Sequence, residues 1–310
     1  MSRRGWVLFT AMCLIWGLPY LMIKVAVDEI SPATLVLGRC AIATLLLLPV
    51  AMARGLLRPL LPLWRPLLAF TAIEICLPWL LLGYAELRLS SSLTGLLIAG
   101  VPLVGAVLAR VTGAHERLGV TRLVGLLVGF AGVVSLVGFE LGTGDTGAVL
   151  AIAVVAVAYA VGPAIVARFL SDQPGLGVMA AALGVSTVVY LPFGIAQAPA
   201  AWPSAKVVLS VVGLAVICTA LAFLVFFALI AEVGAARSTV ITYVNPAVAV
   251  LLGVLVLGES FTVTIALGFA LILLGSVLAT SRTRDHAASR RLRRRRQSAP
   301  DELEDAPAIP

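Results

Sequence analysis

Apolar runs long enough to cross a bilayer follow one another along nearly the whole chain, and short polar segments separate them. Ten windows of about 20 apolar residues stand out, at 6–27, 33–53, 66–85, 92–112, 120–138, 147–168, 176–197, 207–231, 236–257 and 262–281. They predict an all-α integral membrane protein with ten transmembrane helices. The first run ends at Lys24 and Asp28 without a small-residue cleavage site, so it reads as a span and not as a removed leader. Composition agrees: 61% hydrophobic and 12% charged residues, with a mean hydropathy of +1.10, leave too little polar surface for a water-soluble globule.

The pattern also repeats. A block from Gly83 to Gly138, opening GYAELRLSSSLTGLLIAGVPLVGAVLA, returns in altered form from Phe227 to Ala279, opening FALIAEVGAARSTVITYVNPAVAVLLG. Each copy carries a proline inside an apolar helix (Pro102, Pro246), then a Glu-bearing loop (Glu116, Glu259), then a glycine-studded helix. The ten windows therefore divide into two five-helix repeats, 6–138 and 147–281, followed by a tail at 282–310. An odd number of helices per repeat makes the second copy enter the membrane from the opposite face, which gives inverted repeats and two equivalent ways of opening.

Basic residues set the expected orientation. With the N-terminus in the cytoplasm, the inner flanks hold Arg3, Arg4, Arg54, Arg58, Arg65, Arg110, Arg117, Arg122, Arg168, Arg237 and the arginines of the tail, whereas the outer loops hold Arg88 and Lys206. Both termini are expected in the cytoplasm. The tail, with six arginines in 290–296, reads as a disordered topology anchor against anionic head groups; the acidic DELED that follows argues against nucleic-acid binding.

IWGLPYLMIKVA (Ile15 to Ala26), the surroundings of Arg39, Tyr84-Ala85-Glu86, Asn245-Pro246 and Leu257-Gly258-Glu259 share one pattern over 6 to about 281. That pattern resembles the EamA domain of the drug/metabolite transporter superfamily. The first copy reads GAHERL where the second has Gly-Glu, and AVAYAVGPAIVARF in the second repeat has neither the Trp nor the Lys of the opening motif. The resemblance implies efflux or exchange of small polar metabolites, and the high usage of Ala, Leu, Val and Arg points to a bacterial cytoplasmic membrane.

Chemistry is to be sought in charged groups deep in the apolar windows, since each costs about 3 kcal/mol or more at the bilayer centre. Glu74 lies about 12 Å inside its window, and Pro78, four residues on, cannot donate to its carbonyl. A lone carboxyl there holds a proton, so Glu74 reads as a proton or substrate site, or as a protonated packing residue. Arg39, about 9 Å deep, reads as a ligand for a substrate carboxylate or phosphate, or as a clamp between helix ends. Trp16, Tyr20 and Lys24, spaced by four, share one face of a continuous helix, either turned to substrate or anchored at the lipid interface. Pro102, Pro163 and Pro246 mark further candidate helix breaks, and Tyr159, Tyr243 and Asn245 beside them are candidates to line one central cavity with Glu74, Trp16 and Tyr20.

Other chemistry is absent from the pattern. Cys13, Cys40, Cys76 and Cys218 stand in separate apolar segments without metal spacing, and His115 and His286 fall in a loop and in the tail. No phosphate loop, HExxH pair or nucleophile elbow occurs, so no cofactor, no metal and no enzymatic activity are expected. The expected partners are a small-molecule substrate and the lipid bilayer, with proton coupling. The expected state is a monomer, with a dimer as the alternative. The reading is a secondary transporter for a small polar or amphipathic metabolite, as a proton-coupled exporter or exchanger. A non-transporting sensor or scaffold, and an exchanger of phosphorylated or nucleotide-linked metabolites, are the alternatives.

Overall fold

Each apolar window becomes helix in the computed structural model, which describes residues 1–111, 120–140, 145–234, 238 and 240–280; the described residues contain no strand. In chain order the α-helices are α1 (Arg3–Ile15), α2 (Leu18–Val27), α3 (Pro32–Ala53), α4 (Trp64–Phe70), α5 (Leu77–Glu86), α6 (Ser91–Ile98), α7 (Val101–Val111), α8 (Val120–Glu140), α9 (Thr146–Ile165), α10 (Gly175–Ala196), α11 (Ala205–Ala215), α12 (Ala222–Val233), α13 (Ile241–Leu257) and α14 (Val263–Thr280). Several join end to end. By length and composition, eight continuous helical segments suffice to cross a membrane, from Arg3–Val27 to Ala205–Val233, and two shorter apolar helices, Ile241–Leu257 and Val263–Ala279, follow. Glu116, His115 and the tail with its arginine run lie outside the described residues.

Serines start the helices where the chain re-enters from a loop. Ser2, Ser31 and Ser90 are N-caps whose hydroxyls accept from Gly5, Thr34 and Leu93 at 2.9, 3.1 and 3.1 Å. Each satisfies one of the amides that a helix start leaves without a partner. The third segment begins at Arg58, earlier than the window at 66, because Pro59 and Pro62 are accommodated in a 3₁₀ turn over Arg58–Leu63.

The interruptions differ in part from those expected. Pro78 is the second residue of α5, just past a π-helical turn, Thr71–Cys76, that contains Glu74. Pro102 is the second residue of α7, just past the break at Ala99 and Gly100. Pro163 and Pro246, in contrast, stand inside α9 and α13, which continue through them; a missing N–H removes one bond without ending a helix whose sides are packed. Two π-turns, Val166–Leu170 and Val216–Leu221, contain no proline, and the first window is broken at Trp16 and Gly17. At that break the Gly17 amide turns back to Leu14 O at 3.1 Å, and Pro19 has no N–H to offer Ile15.

Packing joins α3 to α10, α8 to α14, α6 to α13, α5 to α9, α2 to α11 and α1 to α12. Contacts between loops define the two ends of the bundle. At the end where the chain starts, the Ser2 hydroxyl donates to Glu232. At the opposite end, Glu29 accepts from the Ser204 amide (2.7 Å) and hydroxyl (2.6 Å), which holds the α2–α3 loop to the start of α11. Those two bonds, with Lys206 nearby, hold the Glu29 carboxyl below its ordinary value of 4.5. A group whose folded pKa is depressed contributes stability that is present above the unfolded value and lost as pH falls through the folded one. Amide exchange at Ser204 therefore accelerates, beyond its intrinsic pH dependence, as pH drops below about 4.5, and Glu29→Ala removes that inflection.

Candidate functional site

Glu74 owes its position to the π-turn. Widening the helix over Thr71–Cys76 carries the side chain towards α9, where it lies on the bare Cα of Gly162; a methyl group there would overlap the carboxylate. Glu74 Oε2 is buried and has no hydrogen-bond partner. The turn is braced from the other side: the Tyr190 hydroxyl of α10 donates to Cys76 O at 2.8 Å, and the Thr71 hydroxyl donates to Leu67 O at 2.8 Å.

Arg39 projects from α3 into the same region and is buried. Its Nε donates to Thr219 Oγ1 at 2.9 Å, and its Cζ lies 3.5 Å from the centre of the Trp79 ring on α5. Thr219 sits in the π-turn Val216–Leu221 and passes its own proton to Leu214 O, five residues back, at 2.7 Å. A guanidinium has five N–H donors. The four on Nη make no hydrogen bond among the described residues, so Arg39 ties α3 to the turn at Thr219 with donors to spare. Tyr159 of α9 is the electrostatic neighbour of both charged groups, Glu74 and Arg39, and the Trp79 indole N–H faces its hydroxyl. Tyr20 is an electrostatic neighbour of Tyr159 and Arg39.

Tyr159 is thus the electrostatic neighbour common to Tyr20, Arg39 and Glu74. The other candidates have contacts of their own. Trp16 packs on Phe226 and Phe223, with ring centroids 4.8 and 6.1 Å away, as part of an aromatic group that includes Phe227. Asn245, with its amide nitrogen turned to the two carbonyls, donates to Ile241 O at 3.0 Å and to Cys13 O at 3.3 Å. Cys13 O is free to accept that bond because the Gly17 amide turns back to Leu14 O. The Tyr243 hydroxyl points to Ser276 O at 3.5 Å. These contacts put Trp16 in an aromatic group and turn Asn245 and Tyr243 to backbone carbonyls. The stripe Trp16–Tyr20–Lys24 does not survive, since the break at Gly17 resets the helical phase. Lys24 Nζ donates to Glu86 O (2.6 Å) and Leu89 O (3.0 Å), closing the C-terminal end of α5.

Trp79, Thr219, Tyr190 and Glu86 were not singled out as site residues by the sequence. Trp79, Thr219 and Tyr190 look like ordinary occupants of apolar windows. Glu86 falls one residue past the window 66–85, where a carboxylate reads as solvated, yet it is 0% exposed. Its place in the Tyr84-Ala85-Glu86 segment that carries the family resemblance is the signal that sets it apart from a loop acid.

At the same end of the bundle, Gly258 ends α13 in the left-handed region (φ 68°), which only glycine adopts without strain, and so aims Glu259 at α6. The Glu259 carboxylate accepts from the Ser91 amide (2.7 Å), the Ser92 amide (2.9 Å) and the Ser92 hydroxyl, against the bare face of Gly253. Negative charge at a helix N-terminus is favourable. Glu259→Ala leaves these amides without their acceptor, and a loss of about 1–2 kcal/mol is expected on thermal unfolding in detergent micelles. A cleft of about 220 Å³ opens here, lined by Arg88, Leu89, Ser90, Leu93, Asp145, Glu259, Ser260 and Ile265.

The sequence profile of the EamA-like transporter family matches this chain twice, over residues 3–138 and again over 146–281. The chain belongs to this family. An EamA-like chain is a transporter in the membrane and not an enzyme, which agrees with its apolar helices. The chain is 31% identical over 281 residues to the uncharacterized inner membrane transporter YedA of Escherichia coli (strain K12), covering 87% of this chain and 88% of that protein. It is 23% identical over 275 residues to an uncharacterized transporter of Archaeoglobus fulgidus, covering 88% and 97%. A solved crystal structure shares the EamA-like chain's fold with a TM-score of 0.64 at 23% identity, over 90% of this chain and 98% of the other.

Proposed function

We propose that this EamA-like chain is a secondary transporter of the bacterial cytoplasmic membrane, built as two inverted five-helix repeats with both termini in the cytoplasm. It moves a small polar or amphipathic, amino-acid-like metabolite by alternating access, coupled to protons as an exporter or exchanger. The double family match and the pairing of helices support the repeat. Counting spans from one to ten, exchanging each with the span five positions away maps 2–7, 4–9 and 5–10 onto themselves and turns 3–6 into 8–1, so the set of main packing pairs is unchanged. The π-turns agree: Glu74 is fourth in Thr71–Cys76 of span three, and Thr219 is fourth in Val216–Leu221 of span eight.

The observation that carries the substrate class is that an arginine with unused donors and a buried carboxyl with an unpartnered oxygen share Tyr159 as an electrostatic neighbour. Arg39 takes the carboxylate of an amino-acid-like solute. Glu74 takes its ammonium group or, when the solute is absent, a proton. Competition between proton and solute for one carboxyl is what couples their movements. The test is counterflow of labelled amino acids and other polar metabolites into proteoliposomes of the full chain, with and without a pH gradient. Accumulation of a zwitterionic solute that follows the gradient supports the reading. Exclusive transport of phosphorylated solutes, or none of the panel under any gradient, overturns it.

A further inference from the structure

An arginine grips a carboxylate with two parallel N–H bonds along one edge of its guanidinium: side-on, from Nε and one Nη, or end-on, from the two Nη. At Arg39 the side-on edge is taken. Nε donates to Thr219 Oγ1 at 2.9 Å, and Thr219 is fully buried. The proton of that hydroxyl is committed to Leu214 O at 2.7 Å, so towards Arg39 the hydroxyl acts as an acceptor. Trp79 covers one face of the guanidinium, its ring centre 3.5 Å from Cζ. The end-on edge is different. Arg39 keeps 7% of its surface open, and the enclosed side-chain atoms without a partner include Glu74 Oε2 but neither Nη. The Nη nitrogens are therefore unpaired among the described residues and still accessible.

The two π-turns show why the bond to Arg39 is more than a brace. In the turn Thr71–Cys76, Thr71 donates to Leu67 O and Tyr190 holds Cys76 O, so the fourth residue, Glu74, takes no part in the bracing. In Val216–Leu221 the fourth residue is Thr219, and its bond to Leu214 O already ties the turn to the helix before it. Accepting from Arg39 adds nothing that this turn needs for its own shape. What it fixes is the arginine: one hydrogen bond in the guanidinium plane and one ring against its face hold both the position and the tilt of that plane.

We propose that Thr219 is a positioning residue for substrate: by occupying Nε beside the Trp79 ring, it makes the end-on Nη pair the edge that receives the carboxylate of the solute. This rests on the reading of Arg39 as the carboxylate ligand. Two parallel N–H···O bonds form in the plane that Thr219 and Trp79 set. A carboxylate presents an acceptor to each Nη, whereas the carboxamide of the same solute presents one acceptor and one N–H that opposes a donor, so the site rejects it.

The test is 15N NMR of the arginine side chains in the full-length protein in phosphatidylethanolamine/phosphatidylglycerol vesicles, with the Arg39 signals assigned by Arg39→Lys. The probe is a mixture of the common L-amino acids, compared with a mixture of their amides. The amino acids are expected to move the Nη signals and leave Nε in place, and the amides to move neither. Thr219→Val keeps the branched shape and removes the hydroxyl. It is expected to shift the Nε signal before any solute is added and to raise the half-saturating concentration about tenfold, the effect of one lost hydrogen bond to a charged group. The maximal counterflow rate of the amino-acid mixture stays within about twofold, and Thr219→Ser restores wild-type half-saturation. Structural damage lowers the rate as well and is not rescued by serine. If Thr219→Val does not fold, the Nε and Nη responses of wild type and Thr219→Ser decide. A solute-induced shift at Nε, or wild-type half-saturation in folded Thr219→Val, overturns the positioning role and leaves Arg39 as the carboxylate ligand. Arg39 signals that ignore the amino acids overturn both.

Discussion

Glu74→Gln is expected to abolish gradient-driven flux while leaving counterflow, in which no net proton moves, within about tenfold of wild type. Gln has nearly the volume of Glu, so the side chain still fits on the bare face of Gly162 and the π-turn braced by Tyr190 is undisturbed. What disappears is the titration. A side chain that cannot ionise gives the proton gradient no differential hold on the two conformations, and a gradient without differential affinity shifts nothing. The expected loss in driven uptake is about 100-fold or more, the scale of a coupling energy near 3 kcal/mol. The measurement is accumulation in proteoliposomes at matched protein density, with the interior acid or equilibrated. Driven uptake equal to wild type in the variant would reduce Glu74 to a packing residue and shift attention to the unused donors of Arg39.

The second large effect is on assembly. Gly275→Ile is expected to destabilise the protein by about 3 kcal/mol or more, at or beyond the upper end for overpacked cores. Helices α8 and α14 cross at glycines on both sides. A methyl on Gly275 would run into the backbone of Gly129 and Gly125, and one on Gly132 would come within 2.9 Å of Gly268 O and Ile272 N. A flexible side chain can yield to an intruder, whereas two backbones must separate along their length. Within a bilayer, close approach is what holds helices together, because lipid is as apolar as the side chains and burial supplies no driving force. Denaturation of the purified protein in mixed micelles, followed by circular dichroism, measures the loss. Gly105→Ala, with no atom within 4 Å of the added methyl, is the control and should leave the midpoint unchanged.

How much of this was legible in the sequence differs between residues. Glu74 and Pro78 announced an unusual turn at one depth, since an acid and a missing donor are both visible in the letters. The same logic failed at Pro163 and Pro246, where packing tolerates one missing bond, and it had no signal for the proline-free turns at Val166–Leu170 and Val216–Leu221. Asn245 and Tyr243 looked like cavity residues because polarity in an apolar window can mean either a ligand or a backbone carbonyl in need of a donor. Which of the two applies depends on where Cys13 and Ser276 lie, on helices distant in sequence.

By itself the sequence determined the solvent of this protein, the helical character of every apolar window, the repeat and the family to which it belongs. These follow from local rules: a backbone in lipid must satisfy its own hydrogen bonds, and a run of about 20 apolar residues is the length over which a helix does so. Tertiary structure alone decided that Arg39 grips Thr219 and Trp79 with donors to spare, that Glu74 rests on Gly162, that Lys24 closes a helix end, and that Glu86 is enclosed without a partner. Those outcomes depend on which helix faces are turned towards each other, and with little hydrophobic force between helices in lipid, that choice is made by shape and by a few polar contacts that no single segment encodes.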